Sequence, residues 1–339
     1  MHRAIYSRDP IQSIESLSRA LGVGGAELRS IALRAPKLYI GPKPKLKKNG
    51  GVREVFDTKP PLKPLLKKIN NIFFRQVAFP EYLTGSLAGR DFIANVDIHK
   101  GSRRMISEDI AKFFDHITAD RVYRIWREFF HFAENVADLL TCLTTKDGRV
   151  FQGTPTSSYL ANLAFWDREP ALAERMIGRG IRYSRYVDDI TVSSMAEMSE
   201  EDKRWAIAQV YGMIGAAGFK PQRSKHKGLS ARGPITLMGL NANASLRPTI
   251  TKQERANTRA LIFQLEGRLA AGETGLEFRV ALNQATSKVG RLKRLHKQEA
   301  STLKGRIHTM RRAIDVLPVI TKATIPFAQA VGKIDELPF

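Results

Sequence analysis

The stretch Tyr186-Val187-Asp188-Asp189 constrains the fold more than any other part of the chain. It interrupts residues 181–194, a run of β-branched and aromatic residues that favours strands. Two adjacent carboxylates do not fit inside a buried strand, so we expect a strand–turn–strand hairpin with both aspartates at its tip. Carboxylates held this close repel each other unless a cation lies between them. An isolated Asp-Asp pair is more often a solvated turn, so the interpretation depends on the rest of the chain.

A second stretch supplies another carboxylate. A short predicted strand ends at Asp109, followed by two aromatic residues and by a helix that begins near Thr118. If this strand lies beside the 181–194 hairpin, three carboxylates meet. Mg²⁺ is the hard, oxygen-preferring cation suited to such a set, and it usually shares its ligands with substrate phosphates.

The charge of the chain indicates a polyanionic partner. Its 339 residues include 55 Lys and Arg against 33 Asp and Glu, a net charge of +22. A protein this basic most often binds nucleic acid, and a basic but merely solvated surface is the alternative. The hydrophobic fraction of 43% fits a globular chain with two or three subdomains.

Cysteine use and hydropathy exclude several classes of protein. The single cysteine, Cys142, rules out an internal disulfide or a cysteine-built zinc site, and it suits a reducing cytoplasm. Because Cys142 lies in an apolar run, we expect it in the core. No stretch approaches the ~20 apolar residues of a membrane span, and no apolar signal region opens the chain, so no membrane partner is predicted.

Residues 39–56 predict a basic hairpin. Asn49-Gly50-Gly51 is a turn signal between two short strands, which carry Lys45 and Arg53 among other cations. The segment is either a solvated loop or a mobile finger that holds a triphosphate or a nucleic-acid backbone. Helices are predicted before it, over residues 10–34, and after it, over residues 62–74.

Two later segments also have both a bland and a functional interpretation. Gln152, beside Gly153, is predicted to lie against a bound nucleotide, whereas an ordinary helix start explains Thr156 and Ser157 equally well. From Thr251 onward the chain is mainly helical and basic, which suits a grip on a nucleic-acid backbone unless the face is simply solvated.

Four motifs in chain order resemble those of reverse transcriptases, and a fifth is similar to the Asn-Ala-x-x-His signature of bacterial retron enzymes. At the place of the retron Val-Thr-Gly, Leu237-Met238-Gly239 keeps only the glycine. The five motifs are Asp109 with Phe113-Phe114, Gln152-Gly153-Thr154-Pro155-Thr156-Ser157, Tyr186-Val187-Asp188-Asp189, Gly218-Phe219 with Lys225, and Asn95-Val96-Asp97-Ile98-His99.

The resemblance implies an α+β right-hand polymerase, whose palm is an antiparallel sheet with helices behind it. It implies a helical cap over residues 1–38, fingers over 39–104, a palm over 105–240 and a helical thumb over 241–339. Part of the fingers, about 120–150, would be interleaved with the palm.

The implied activity is RNA-directed DNA synthesis by two-metal nucleotidyl transfer, copying part of a structured non-coding RNA into DNA from dNTPs. By family, this would serve retron anti-phage defence with an effector protein. The implied site residues fall into three groups. Asp109, Asp188 and Asp189, with the Ile110 carbonyl, hold two Mg²⁺ or Mn²⁺ ions; Lys45, Arg53, Phe114, Gln152 and Lys225 contact the dNTP; and Asn95, His99, Arg291 and Arg294 contact nucleic acid.

Three alternatives stay open. One is a reverse transcriptase of another bacterial retroelement or defence lineage, without a retron RNA. A non-catalytic RNA-binding scaffold is disfavoured by the three carboxylates. An RNA-dependent RNA polymerase is disfavoured by Phe114, which by family position stacks on the sugar and excludes a ribose 2′-OH.

Overall fold

The computed structural model describes residues 2–46, 52–230, 233–243 and 247–316. It divides into two compact units, Met1–Thr249 and Ile250–Phe339. The predicted turn at Asn49-Gly50-Gly51 lies outside the described residues. The unit boundary falls later than the predicted thumb start at 241, because the Asn241 amide donates to the Thr249 carbonyl at 2.7 Å and ties this segment to the first unit.

The described residues of the first unit form short strands and helices in mixed order. The strands are β1 (Ile5–Tyr6), β2 (Tyr39–Leu46), β3 (Val52–Thr58), β4 (Val77–Ala78), β5 (Arg104–Asp109), β6 (Arg182–Tyr186), β7 (Asp189–Ser194), β8 (Lys227–Ser230), β9 (Thr236–Leu237) and β10 (Leu240–Asn241). The helices are α1 (Ile14–Leu21), α2 (Gly25–Leu38), α3 (Leu62–Ile72), α4 (Phe92–Ile98), α5 (Ala119–Arg124), α6 (Glu134–Thr144), α7 (Ser157–Leu163), α8 (Glu169–Gly178) and α9 (Glu200–Ala216).

The central sheet is antiparallel, with strand order β6-β7-β5-β8. Its register places Asp109 opposite Asp189 and Ile106 opposite Val192. Ile106, Val192 and Ile190 are buried, so helices cover the sheet where its apolar side chains point. The predicted adjacency of the Asp109 strand and the Asp-Asp hairpin is therefore confirmed.

An aromatic cluster is part of the core of the first unit. The Trp126 ring centroid lies 4.9 Å from Phe74 and 4.9 Å from Phe130, and all three rings are almost fully buried. Trp126 belongs to a π-helical turn, Ile125–Phe129, that follows α5. This cluster packs residues 125–132 against the end of α3, next to the β2–β3 hairpin.

The structure corrects the expectation that Asn95 and His99 contact nucleic acid. Asn95 lies in α4 and His99 directly follows it, and both side chains are buried. The two ring nitrogens of His99 lie 2.7 Å from the hydroxyl oxygens of Ser193 and Ser184, while the Thr84 hydroxyl donates to Asn95 Oδ1 at 2.7 Å. These contacts attach α4 to the interior of the first unit, since Ser184, Ser193 and Thr84 are all buried.

Cys142 is exposed, and the expectation that it lies in the core is wrong. It belongs to α6, whose buried face includes Val136, Ala137, Leu140 and Leu143. Cys142 lies within an apolar run of the sequence, but the helix turns its side chain away from the buried face. In the part of the chain that is described, no helix is long and apolar enough to cross a membrane.

The second unit is helical over its described residues, with α10 (Lys252–Ala270), α11 (Leu276–Leu295) and α12 (Lys297–Val316). Leu265, Phe278 and Leu282 are among its buried residues. Of the two arginines predicted to contact nucleic acid, Arg291 is half-buried on α11 and Arg294 is exposed there.

The buried imidazole of His99 generates a pH-dependence of stability. Burial, together with the positive charge of Arg182, lowers the pKa of His99 to about 3. In the unfolded chain that pKa returns to about 6.5. The unfolded state therefore binds the proton more readily between pH 3 and 6.5, so stability falls as the pH falls through this window. Between pH 7 and 5 the loss is about 2 kcal/mol.

We expect His99→Asn to be less stable than the parent at pH 7 but to lose about 2 kcal/mol less on acidification to pH 5. The measurement is denaturant unfolding followed by tryptophan fluorescence, since Trp126, Trp166 and Trp205 all lie in the first unit. The exposed His308→Asn serves as the control. An identical acid sensitivity of His99→Asn and the parent would contradict the prediction.

Candidate active site

The Asp-Asp hairpin forms as predicted, with a two-residue turn between β6 and β7. Tyr186 pairs with Asp189, which leaves Val187 and Asp188 as the turn. Val187 has φ 61°, a left-handed conformation that is rare for a β-branched residue. Gly85 lies directly against this turn, because a Cβ added there would be 2.6 Å from the Val187 amide nitrogen.

Three carboxylates come together at the end of the central sheet. Asp109 is the last residue of β5 and faces Asp189 across the strand pair, and the Ile110 amide donates to the Asp188 carbonyl at 3.1 Å. Burial and the charge of Asp109 raise the pKa of Asp188. The structure thus joins residues that are 79 positions apart in sequence (188 − 109).

The pKa of Asp189 is raised to about 7 by partial burial in the cleft and by the negative charges of Asp188 and Asp109. Asp189 is exposed to solvent, so repulsion by the two neighbouring carboxylates contributes more to the raised pKa than burial does. The cluster therefore holds more negative charge than it can keep in the absence of a cation.

Lys225 supplies one positive charge to the cluster. Its Nζ donates to Asp109 Oδ2 at 2.6 Å. Burial lowers the pKa of Lys225, but the hydrogen bond and charge of Asp109 outweigh that effect, and the pKa is raised overall. The amide of Gln222 also donates to the Asp109 carbonyl at 2.7 Å, which fixes the loop that carries Lys225 to the end of β5.

The opposite face of β5 holds the same loop by contacts that the sequence did not reveal. Glu108 is buried and points away from Asp109, as alternate residues of a strand do. His226 Nδ1 lies 2.6 Å from Glu108 Oε1, and the Tyr211 hydroxyl donates to Glu108 Oε2 at 3.0 Å. Lys225 and His226 thus contact adjacent strand residues on the two faces of the sheet.

The β2–β3 hairpin brings the predicted dNTP-binding cations together. Lys45 pairs with Arg53 across the hairpin, and both side chains are exposed. The positive charge of Arg53 is close enough to lower the pKa of Asp188 in part. The hairpin therefore presents Arg53 toward the carboxylates.

Gln152 is attached to the same hairpin through its backbone. Its carbonyl accepts a hydrogen bond from the Phe56 amide at 2.8 Å. Gly153 follows with φ 107°, and a Cβ there would lie 2.4 Å from the Phe56 carbonyl oxygen. Glycine is thus required by the close approach of β3, and the half-buried Gln152 is held beside it.

The two aromatics after Asp109 have different surroundings. Phe113 is buried and stacks on Phe165, with centroids 5.7 Å apart and an interplanar angle of 3°. Phe114 is half-buried, 5.9 Å from Phe113, and part of its ring remains accessible. Only Phe114 is placed to contact a ligand.

The donor set fits a divalent metal that is completed by substrate. In the described part of the chain no three Asp, Glu, His or Cys side chains form a ready-made cage. Three carboxylates of hard oxygen nevertheless converge, and the Lys225 ammonium already lies on one of them. Mg²⁺ is usually bound by one or two carboxylates plus phosphate oxygens rather than by an all-protein cage, so the residues fit the ion.

Glycine at position 239 has a local explanation. Met238 and Gly239 form the turn between β9 and β10, with φ 50° and 71°. A two-residue hairpin with both φ values positive favours glycine. The turn therefore requires Gly239, which is the only residue shared with the retron Val-Thr-Gly.

Comparison with known proteins identifies the family. Residues 45–242 match the family Reverse transcriptase (RNA-dependent DNA polymerase). The Retron Se72 reverse transcriptase of Salmonella heidelberg is 32% identical over 90% of this chain and 81% of its own. The Retron Ec48 reverse transcriptase of Escherichia coli is 28% identical over 98% of this chain and 83% of its own. Among solved structures, apo telomerase from Candida tropicalis covers 84% of this chain and 64% of its own, with a TM-score of 0.44 and 11% identity.

The fold and the site define an RNA-directed DNA polymerase with right-hand architecture. The match spans more than half of the chain, and the relatives span most of it. The chain belongs to the reverse transcriptase family and, within it, to the bacterial retron type.

The contact between Gly153 and β3 predicts an unequal effect of two glycine substitutions. Gly148→Ala also replaces a glycine of positive φ, 73°, but its Cβ would meet no described atom within 4 Å. We expect Gly148→Ala to destabilise the first unit by about 1 kcal/mol. Gly153→Ala adds overpacking against Phe56 and should cost about 1 to 3 kcal/mol more. Urea denaturation followed by tryptophan fluorescence compares them, and equal losses would refute the contact.

Proposed function

We propose that this polymerase copies part of a structured non-coding RNA into DNA, using two divalent ions held by Asp109, Asp188 and Asp189. The observation that carries the proposal is the convergence of the three carboxylates, with Lys225 on Asp109. The retron identity of the relatives supports an RNA template of the retron kind. By the same likeness, the enzyme acts in the cytoplasm in anti-phage defence, together with an effector protein.

The three carboxylates and the Ile110 carbonyl are the proposed ligands of two Mg²⁺ ions, with Mn²⁺ as the alternative ion. When bound, such ions lower the pKa of an attacking hydroxyl and stabilise the charge that develops on the leaving pyrophosphate. Repulsion within the cluster favours cation binding, since the pKa values of Asp188 and Asp189 are already raised.

The residues around the three carboxylates bind the incoming nucleotide. Lys45 and Arg53 bind the triphosphate, for which the exposed guanidinium of Arg53 offers paired N–H donors. Gln152 contacts the incoming nucleotide from its fixed position beside β3. Phe114 packs against the sugar. Lys225 remains protonated, because its pKa is raised, and donates its proton to the leaving pyrophosphate.

Nucleic acid is held mainly by positive charge. Arg291 and Arg294 on α11 are the proposed contacts to the template and its DNA copy. Electrostatic contacts of this kind act on any phosphate backbone. A chain with a net charge of +22 therefore retains RNA when the active site is silent.

The metal assignment and the template are tested together by recovering the nucleic acid bound in the native host. We expect the wild-type protein to carry one abundant structured RNA joined to or paired with a short DNA. Asp188→Asn should carry the same RNA without the DNA, because the carboxylate charge is lost while the basic surface remains. Sequencing with and without RNase treatment measures both species.

The exposed Asp138→Asn on α6 is the control for the loss of one negative charge. Wild-type amounts of DNA with Asp188→Asn would overturn the metal assignment. A mixed RNA population, with DNA made only on a supplied primer–template, would favour a retroelement enzyme without a dedicated RNA. RNA without any DNA synthesis by the wild type would favour a scaffold.

Phe114 should determine the choice between deoxyribose and ribose. We expect Phe114→Val to raise the ratio of kcat/KM for an rNTP to that for the matching dNTP by about 10-fold or more, because it opens space for the 2′-OH. Phe113→Val, in the neighbouring core position, should reduce stability without changing the ratio. Primer extension under steady-state conditions measures it, and an unchanged ratio for Phe114→Val would remove Phe114 from the sugar site.

A further inference from the structure

Arg185, in β6, is a fully buried charge whose every donor is used. Its Nε and Nη2 donate to the two carboxylate oxygens of Glu169, each at 2.7 Å. Nη2 also donates to the Asn162 carbonyl at 2.9 Å, and Nη1 donates to the carbonyls of Ala161 at 3.3 Å and Val187 at 2.9 Å. A guanidinium carries five N–H donors, so the side chain is completely satisfied.

The acid in this network is equally well compensated. Glu169 begins α8 and is buried, and it also accepts a hydrogen bond from the Tyr183 hydroxyl at 2.7 Å. The guanidinium carbon of Arg185 lies 5.1 Å from the centre of the Phe165 ring. Replacing a buried ion pair by apolar residues is often neutral or stabilising. Stability alone therefore does not account for a buried pair at this place.

The network ends on the turn of the catalytic hairpin. Val187 is held in a left-handed conformation, which for such a residue costs about 1 to 3 kcal/mol and persists only where the surroundings impose it. Two contacts impose it here. Arg185 binds the Val187 carbonyl, and Gly85 closes against the Val187 amide.

The loop that carries Gly85 is tied to the same arginine through the backbone. The Thr84 amide donates to the Arg185 carbonyl at 3.1 Å, and the Arg185 amide donates to the Tyr82 carbonyl at 2.8 Å. The Arg185 side chain thus binds the turn at Val187, and the Arg185 backbone binds the loop that carries Gly85. The residue that follows Val187 in the turn is Asp188.

We propose that Arg185 and Glu169, together with Gly85, are positioning residues that set the orientation of Asp188 and thereby the affinity of the active site for divalent metal. This inference rests on the metal site proposed above. Arg185 is enclosed by protein and reaches the metal site only through the Val187 peptide. Loss of its contact with Val187 lets the turn relax toward an unstrained conformation, which moves the Asp188 carboxylate.

The test compares two arginines that bind backbone carbonyls in the same unit. Arg121 donates to the carbonyls of Ala164 at 2.8 Å and Ala217 at 2.6 Å, at the ends of α7 and α9. Among the described residues, its side chain has no hydrogen bond to the Asp-Asp hairpin. Arg185→Lys and Arg121→Lys each keep the charge but lose two N–H donors and the planar fork that holds them in place. Mn²⁺ binding is measured by electron paramagnetic resonance, with full-length protein, a dideoxy-terminated primer–template and the matching dNTP.

We expect Arg185→Lys to weaken Mn²⁺ binding by about 10-fold or more, the usual effect of removing a group that orients a ligand. Primer extension should show a fall in kcat with little change in the KM for dNTP. Arg121→Lys should leave Mn²⁺ binding within about twofold of the wild type, although it also loses stability. Wild-type Mn²⁺ binding by a folded Arg185→Lys would overturn the proposal.

Two further variants keep the test decisive. If Arg185→Lys does not fold, Gly85→Ala displaces the same turn from the other side and should weaken Mn²⁺ binding likewise; normal binding by a folded Gly85→Ala would overturn the proposal. Asp188→Asn, measured in the same way, tests the metal site itself. If Asp188→Asn binds Mn²⁺ as the wild type does, the proposed function fails independently of Arg185.

Discussion

Repulsion among Asp109, Asp188 and Asp189 is the constraint on which the rest of the site depends. Two unit charges about 4 Å apart repel by about 1 kcal/mol in water and by about 4 kcal/mol at an effective dielectric constant of about 20. No local sequence preference would gather these groups, so the surrounding fold has to hold them. Pairing of β5 with β7 does so, because it places Asp109 opposite Asp189 by backbone hydrogen bonds alone. Lys225 then offsets part of the charge without filling the cluster.

Two supports of the site share one physical feature, which is the close approach of backbone at a glycine. Gly85 meets the turn at Val187, and Gly153 meets β3 at Phe56. A side chain at either glycine would lie closer to the neighbouring backbone than van der Waals contact allows, so it would push the two elements apart. The hairpin that presents Arg53 is therefore linked through the Gln152 carbonyl to the segment that follows it, and the position of the proposed nucleotide-binding cations is tied to that contact.

The parts of this arrangement that sequence predicts are those with a local pattern. The strand-forming residues around two carboxylates predict the Asp-Asp hairpin. The order of the motifs along the chain predicts the family. Arg185 with Glu169, and His226 with Glu108, have no such pattern, because each pair is made by tertiary packing across 16 and 118 positions. His99 illustrates the converse error, since a motif residue that resembles a ligand-binding group is used to attach a helix to the sheet.

The lysines of the second unit supply positive charge without sequence selectivity. Its acids join helices to one another: Glu299 of α12 binds Arg255 and Arg259 of α10, and Glu266 of α10 binds Arg306 of α12. Lys293, Lys297 and Lys304 are exposed and have no acidic partner among the described residues, so their positive charge stays available on α11 and α12. Lysine presents a compact point charge to phosphate rather than a fork that reads bases. Such contacts strengthen binding to any phosphate backbone and carry no sequence information, so recognition of one particular RNA has to come from contacts outside this set of lysines.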